Sequence, residues 1–318
     1  MTPNPHRFVR IVSLTLGLVL GCVGTSSWAY DLEKELRLAA MVGDSDAINT
    51  LLDQGASVDA ANEFGKTALM MAVEIGAMDA VAVLLNRGAD VNARTVVGCT
   101  ALTFAAEHGH IGISALLIER EAHVHDRTRA GWDALMIASR YGIVHMVEQL
   151  LMRGADPKAA DRHRRTALMM AAERGYVEVV DRLLAAGAII DGRDEEGDTP
   201  LMMAADQGQL AVVQQLIDAG AMLDLRDDIG ATALYWATRN GHQQVADALL
   251  TAGADPNLQD DDGMTPLMAA VETGQVELIT PLLAAGADAS LTNASGRSAL
   301  DMARSANKAG IVAMLQSQ

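Results

Sequence analysis

The strongest constraint on the fold of this 318-residue chain is that, from Asp31 onward, it repeats itself every 33 residues without a gap. The string GKTALMMAV at Gly65 returns, with substitutions, as GDTPLMMAA at Gly197 and as GMTPLMAAV at Gly263. One leucine of the motif holds in nine successive units: Leu36, Leu69, Leu102, Leu135, Leu168, Leu201, Leu234, Leu267 and Leu300. A fixed period of this length predicts a stack of small units rather than two globular domains.

Each unit has the pattern of a turn followed by two short helices. In the sixth unit the turn covers 194–197, and Thr199 followed by Pro200 is typical of a helix N-cap and first turn. The second helix is expected over 210–219, where apolar residues recur at helical spacing, and Gly220 follows as a left-handed C-cap. Because one such unit cannot bury its own apolar face, neighbouring units must stack.

The 33-residue period, with its T-P-L start, paired alanines, interhelical glycine, paired leucines and closing G-A-D, resembles the ankyrin-repeat family. The resemblance implies an all-α solenoid of about nine helix-turn-helix units. It places an N-terminal cap at 31–61, internal repeats at 62–292 and a C-terminal cap at 293–318. In that family the turn tips and the ends of the first helices line a concave face, and their variable side chains bind partner proteins.

The chain departs from the family pattern in three ways. Glu121 and Arg164 stand where other units have a left-handed glycine, a conformation that costs a non-glycine residue roughly 1 kcal/mol. Pro281 falls inside an expected second helix, which it is able to kink. Methionine replaces the histidine that usually follows the motif leucine and helps to hydrogen-bond the turns, so we expect packing to join them instead. These methionines are Met70, Met136, Met169, Met202 and Met268.

The first 29 residues have the pattern of an export signal peptide. Arg7 and Arg10 precede the apolar stretch 11–20, which is shorter than the roughly 20 residues of a membrane-spanning helix. Small residues at the −3 and −1 positions predict cleavage after Ala29. In the alternative, the string VLGC is a lipobox and Cys22 is lipidated, which would tether a structural scaffold to a membrane; an uncleaved anchor is a third possibility. The bacterial style of both cleavage sites favours the periplasm, or secretion.

The chain is strongly acidic, with a formal charge of −17 that becomes −19 once the leader is removed. Phosphate backbones would repel it, so we expect no nucleic-acid partner. Residues 95–193 contain 12 acidic and 12 basic residues, whereas residues 194–292 contain 17 acidic and 2 basic residues, a net charge of −15. This uneven charge indicates either an ordinary solvated acidic face or a surface for a partner with a basic region.

The candidate partner-binding residues lie at the variable turn-tip and first-helix positions. In the early and middle repeats they are apolar, aromatic and basic: Phe64, Val96, Val97, Arg129, Trp132, Arg140, Tyr141, Arg162, His163, Arg165 and Arg174. In repeats six to eight they are acidic: Glu195, Glu196, Asp198, Asp206, Asp228, Asp261, Asp262 and Glu272. Because aromatic and arginine side chains are enriched at interface hot spots, we expect them to anchor the partner. We expect a rigid monomer that recognises another exported protein.

Catalytic and metal-binding functions have little support in the sequence. It contains no nucleophile elbow, H-E-x-x-H motif, phosphate-binding loop or dinucleotide fingerprint, so we expect no enzymatic activity and no cofactor. Cys99 would be a lone thiol after cleavage at Ala29. A zinc site needs three or four converging ligands. The nearest candidates in the sequence are His108, His110, His123, His125 and Asp126.

Overall fold

The computed structural model describes residues 31–316 of the chain. Within that range the regular secondary structure is helical, apart from two isolated β-bridges between Ala160 and Thr166 and between Thr292 and Ser298. The predicted signal peptide, including the cleavage site at Ala29 and the lipidation site at Cys22, lies outside the described residues. No helix of residues 31–316 is long and apolar enough to cross a membrane.

The described helices form nine successive pairs, one pair for each 33-residue unit. In chain order they are α1 (Leu32–Val42) and α2 (Ser45–Asp53), α3 (Ala68–Glu74) and α4 (Met78–Asn86), α5 (Ala101–His108) and α6 (Ile111–Glu119), α7 (Ala134–Arg140) and α8 (Val144–Met152), α9 (Ala167–Arg174) and α10 (Val177–Ala185), α11 (Pro200–Asp206) and α12 (Leu210–Asp218), α13 (Ala233–Arg239) and α14 (Gln243–Thr251), α15 (Pro266–Thr273) and α16 (Val276–Ala284), and α17 (Ala299–Ser305) and α18 (Ala309–Gln316). The fold class predicted from the sequence is therefore confirmed.

The sixth unit shows why the sequence forms this structure. The Thr199 side chain caps α11 by accepting a hydrogen bond from the amide of Met202 at 3.3 Å, and Pro200 occupies the first helical turn. Gly208 (φ 70°) carries the chain from α11 into α12. Gly220 (φ 87°) ends the unit in the left-handed conformation that glycine adopts without strain. The predicted second helix agrees with α12 to within one residue.

The units stack through two parallel layers. Each first helix packs on the next first helix, and each second helix packs on the next second helix. Contact is more extensive in the layer of first helices, where Ala171, Ala204 and Ala237 are fully buried and allow close approach. The first helices therefore form the inner, concave side of the stack. Of the nine motif leucines, Leu300 in the C-terminal cap is half-buried and the other eight are buried.

The expectation that packing alone replaces the missing histidine is wrong in part. The predicted core methionines are buried, Met169 and Met202 among them. However, Met169 Sδ also accepts a hydrogen bond from the amide of Thr166 at 3.3 Å, and Met202 Sδ accepts one from Thr199 at 3.4 Å. The thioether sulfur is a weak acceptor that reaches back to the N-cap amide, so these methionines fill the core and also complete the helix cap.

Two of the irregular residues adopt the backbone conformation that their positions predict. Glu121 (φ 68°) and Arg164 (φ 60°) adopt the left-handed conformation that glycine has in the other units. Pro281 lies inside α16, which continues from Val276 to Ala284. Pro281 lacks an amide proton and so leaves one backbone carbonyl of the preceding turn without its usual donor.

Candidate protein-binding surface

The turns of successive units are joined into one continuous edge, which we call the turn-tip ridge. It consists of the two residues before the turn glycine, or before Arg164, in units two to nine: 63–64, 96–97, 129–130, 162–163, 195–196, 228–229, 261–262 and 294–295. The amide of the first tip residue donates to the carbonyl of the second tip residue in the preceding unit. Val96 donates in this way to Phe64 at 2.9 Å, and Asp228 to Glu196 at 2.9 Å. The ridge is therefore hydrogen-bonded along its length.

A side-chain oxygen at the start of each turn accepts hydrogen bonds from the turn. It is a carboxylate or amide oxygen except in the third and fourth units, where it is the hydroxyl of Thr95 or Thr128. In the sixth unit Asp194 Oδ1 accepts hydrogen bonds from the amides of Glu196 at 3.1 Å and Asp198 at 2.8 Å. In the second unit Asn62 Oδ1 accepts from the amides of Phe64 at 3.0 Å and Lys66 at 2.9 Å. A side chain that satisfies two turn amides fixes the loop locally, as Asp and Asn commonly do.

The ridge is apolar near its N-terminal end. Phe64 is 66% exposed, Val96 57% and Val97 52%. The backbone hydrogen bond between Val96 and Phe64 places these side chains on neighbouring tips. Scattered exposed apolar residues need no explanation, but three on adjoining rigid tips form a patch that can contact a partner.

The ridge is acidic in repeats six to eight. The predicted residues Glu195, Glu196, Asp228, Asp261 and Asp262 are all exposed there. Two arginines offset this charge only in part. Arg193 Nη2 lies 3.8 Å from Asp228, and Arg226 Nη2 lies 3.5 Å from Asp261. The charge division predicted from the sequence is thus displayed along one edge of the molecule.

Three of the predicted anchors are half-buried on the concave side and have partners within the chain. Trp132 Nε1 donates to Asp161 Oδ2 at 2.8 Å, and the guanidinium of Arg140 lies 5.0 Å from the centre of the Trp132 ring. Arg165 forms an ion pair with Glu173. These side chains are held in place before any partner arrives, although part of their bonding capacity is already used.

The other predicted residues of the middle repeats are exposed. Arg129 Nη2 donates to the Val96 carbonyl at 3.0 Å, whereas Tyr141, Arg162 and Arg174 extend into solvent. His163 Nδ1 lies 2.9 Å from Glu195 Oε2, and this hydrogen bond raises the pKa of the imidazole. Of these predicted residues, Arg129, Arg162 and His163 therefore lie on the turn-tip ridge. Trp132, Arg140 and Arg165 lie half-buried along the first helices, in what we call the concave groove.

The concave groove contains a cavity of about 460 Å³ between units five, six and seven. Its lining includes the predicted residues His163, Arg165, Glu196, Asp198 and Asp206. It also includes residues that the sequence reasoning did not single out: Glu173, Asp194, Met202, Met203, Gln207 and Trp236. The cavity lies where the neutral middle section meets the acidic repeats.

Carboxylates dominate the electrostatics of this cavity. Burial raises the pKa of the Asp198 carboxyl from 3.8 to about 7, and the neighbouring Asp194, Asp227 and Asp206 raise it further in the same direction. Burial also raises the pKa of Asp194, although its two backbone amide donors oppose the shift. Charged carboxylates in a partly water-excluded cavity favour either a proton or a cation.

A family model of ankyrin repeats matches the chain in overlapping blocks at residues 36–128, 115–194, 168–260 and 234–318. The chain belongs to the ankyrin-repeat family. No curated protein sequence matches it. Ankyrin repeats generally act as protein–protein interaction scaffolds, and the family is typically non-enzymatic.

The histidines of this ankyrin-repeat protein do not assemble a metal centre in residues 31–316, where no group of three potential ligands is placed to hold an ion. His108 and His110 stack with ring centres 6.0 Å apart, and His110 Nε2 lies 3.2 Å from the Glu74 carbonyl of the preceding unit. His123 Nδ1 is 3.8 Å from Asp126. His110, at the start of α6, thus links the third unit to the second.

Cys99 is a half-buried free thiol. Its amide donates to Thr95 Oγ1 at 2.9 Å. In the sequence Cys99 directly follows the turn glycine of its unit, as Trp132 does in the next unit. The same alignment was the signal that could have revealed the missed groove residues. Positions after the turn glycine and on the inward side of the first helices recur every 33 residues, and Met203 and Trp236 occupy one such position.

Proposed function

We propose that this ankyrin-repeat protein is an exported, non-catalytic scaffold that binds another exported protein through the turn-tip ridge and the concave groove. The observation that carries the proposal is the division of one rigid edge into an apolar end and an acidic end. The apolar end contains Phe64, Val96 and Val97, and the acidic end includes Asp228 and Asp261.

The rigidity of the ridge supports a binding role. Hydrogen bonds between successive tips, such as that from Asp261 to the Ile229 carbonyl at 2.9 Å, restrain loops that would otherwise lose conformational freedom on binding. A preorganised surface spends less of its interaction free energy on ordering loops and side chains. The partner should therefore dock with little change in the shape of the scaffold.

The charge pattern implies how the partner is oriented. A basic region of the partner would face repeats six to eight, and an apolar region would face the second and third units. Complementary charge mainly accelerates encounter and sets orientation, so association should be steeply salt-dependent. Aromatic and arginine side chains of the groove, chiefly Trp132 and Arg165, would supply contact between the two ends.

Export to the periplasm is the location that the leader sequence favours. Mass spectrometry of the protein from its own cell tests this directly. A mature chain that begins with a free Tyr30 supports cleavage after Ala29 and excludes the lipoprotein. A diacylated or triacylated Cys22 would instead support a membrane-tethered scaffold, which is the second candidate because of the VLGC string.

Cross-linked pull-down from the exporting cell, followed by mass spectrometry, tests the binding function. The captured partner is then purified, and its association rate is measured against the wild-type protein and a variant with Asp228→Asn, Asp261→Asn and Asp262→Asn. We expect the variant to associate at least fivefold more slowly at low salt. An unchanged rate would remove the acidic ridge from the interface.

The matched control changes the same number of charges on the second helices, away from the ridge. Asp218→Asn, Asp247→Asn and Glu277→Gln together should leave the association rate within twofold of wild type. If this control slows association as much as the ridge variant does, net charge rather than a defined surface governs binding.

The groove anchors are tested separately. Replacing Trp132 by Phe and Arg165 by Gln together should weaken capture of the purified partner while the far-ultraviolet circular dichroism spectrum stays unchanged. Equal capture by wild type and this double variant would exclude both side chains from the interface.

A further inference from the structure

The cavity in the concave groove has a feature that its position in an interaction scaffold does not by itself explain. Asp194 is only 3% exposed, yet just one of its two carboxylate oxygens is satisfied. Oδ1 accepts the two turn amides, whereas no side chain within residues 31–316 donates a hydrogen bond to Oδ2. Oδ2 is not sealed from solvent, and Asp194 lines the cavity, so this oxygen is open to a donor that enters the cavity.

The corresponding aspartates of two other units do have such a donor. Asp161 Oδ2 accepts from Trp132 Nε1 at 2.8 Å, and Asp227 Oδ2 accepts from Trp236 Nε1 at 2.9 Å. In units five and seven, therefore, an indole N–H group completes the turn carboxylate.

The sixth unit has an acceptor at a repeat position where the fourth unit has a donor. Asp198 follows the turn glycine at the position that Trp132 occupies in the fourth unit. The cavity thus has a second carboxylate beside Asp194. Arg165 attracts Asp194 electrostatically, but Glu173 holds its guanidinium. Arg165 consequently donates no hydrogen bond to Asp194 Oδ2.

We propose that this cavity binds one basic side chain of the partner protein, a lysine ammonium or an arginine guanidinium. Its N–H groups donate to Asp194 and Asp198, and its aliphatic stem lies against Met203 and the Trp236 ring. The volume of about 460 Å³ is ample for one such side chain. This inference rests on the proposed protein-binding function and names the chemical group that the groove recognises.

The mixed lining distinguishes this cavity from an ordinary acidic surface. A lysine or arginine stem buries methylene groups against apolar surface while its charged end remains hydrogen-bonded. Met203 and Trp236 provide that apolar surface beside the carboxylates. The charge-assisted hydrogen bonds formed by a cation on ionised carboxylates are stronger than those between neutral groups.

The test uses the full chain, labelled with ¹³C on the methionine methyl groups, and short peptides that each present one side chain. The peptides are acetyl-GSG-X-GSG-amide, where X is lysine, arginine or the neutral control norleucine. The Met203 methyl resonance reports on the cavity, and the methyl resonance of Met41, which is 50% exposed in the N-terminal cap, serves as a distant reference. Substitution of each methionine by leucine assigns the two signals.

We expect the Met203 signal to shift saturably with the lysine or the arginine peptide, and the Met41 signal to remain in place. The norleucine peptide should produce no saturable shift. Whichever basic peptide binds more tightly identifies the preferred side chain. Equal responses to norleucine and to the basic peptides, or the absence of any saturable response, would overturn the proposal.

Variants separate the cavity from general attraction to an acidic protein. Asp194→Asn keeps an oxygen for the two turn amides, as Asn62 does in the second unit, but replaces the free oxygen with an NH₂ group. Asp194→Asn and Asp198→Asn should each weaken peptide binding at least fivefold. The paired second-helix variant Asp218→Asn and Asp247→Asn should leave it within twofold. If the second-helix variant weakens binding as much as the cavity variants do, the proposal is wrong.

Calcium provides the competing interpretation. Ca²⁺ alone could shift the Met203 signal saturably, at lower concentrations than either basic peptide and in competition with them. That result would identify the cavity as a metal-cation site and overturn the proposal. The peptide assay needs no natural partner. Partner capture that depends on the ridge while the basic peptides fail to bind would therefore overturn this inference and leave the proposed function standing.

Discussion

Replacing Asp198 with asparagine should stabilise the folded protein, and the gain should grow as the pH rises. The Asp198 carboxyl is held among other carboxylates in the groove, and burial raises its pKa from 3.8 to about 7. Asparagine has nearly the same shape but cannot ionise. The substitution therefore removes an unfavourable charge without changing the volume of the side chain.

The direction of the pH dependence follows from proton linkage. Below about pH 4 the carboxyl is protonated in both the folded and the unfolded chain, so its charge has no effect on stability. Between about pH 4 and pH 7 the unfolded chain releases the proton while the folded chain retains it, and stability falls as the pH rises. Above about pH 7 the folded protein bears the full cost of the ionised carboxylate.

The magnitude follows from the size of the pKa change. At about 1.36 kcal/mol per pKa unit, a rise from 3.8 to about 7 corresponds to about 4 kcal/mol. Asp198 is only partly buried, and solvent screening reduces the effect, so we expect a gain of about 1–2 kcal/mol at pH 8. Most of this gain should develop between about pH 4 and pH 7, where the folded and the unfolded chain differ in the protonation of this carboxyl.

Urea unfolding of wild type and Asp198→Asn at pH 5 and pH 8, followed by circular dichroism, measures the effect. Asp262→Asn is the matched control, because it makes the same chemical change at an exposed turn tip. A gain for Asp198→Asn that is equal at both pH values, or no larger than the gain for Asp262→Asn, would refute the assigned environment of Asp198. Comparison at each pH cancels the titration of the histidines.

Two further predictions concern the fold. Leu201→Ala should lower the free energy of unfolding by about 2–5 kcal/mol, because Leu201 is 1% exposed. Leu38→Ala, at a residue that is 44% exposed, should lower it much less. Urea titration of both variants measures the difference. Arg164→Gly should raise stability by about 0.5–1 kcal/mol, because it relieves a left-handed arginine at φ 60°, whereas Arg174→Gly within a helix should lower it by a similar amount. A lower melting temperature for Arg164→Gly would contradict the strain at this turn.

The sequence alone was sufficient to predict the repeat architecture and most of its local details. The structure of one unit was predicted from its motif leucine, its Thr199-Pro200 helix start and Gly220. The ungapped period of 33 residues then predicted the same structure for the other units. These features are local, since a helix cap or a left-handed glycine depends on a few neighbouring residues. The charge division was also visible, because turn tips at a fixed interval are exposed in every unit.

The cavity and the bonding within it were decided by the tertiary structure. Met203 and Trp236 share one repeat position in adjacent units and Asp194 occupies another, and only the stacking of those units brings the three side chains to one cavity. The sequence could not show that Trp132 and Trp236 complete neighbouring turn carboxylates while Asp194 lacks such a donor. The pKa of Asp198 likewise depends on burial and on carboxylates from neighbouring units. Periodicity determines which positions face inward, but the distances between individual side chains arise only when the units pack.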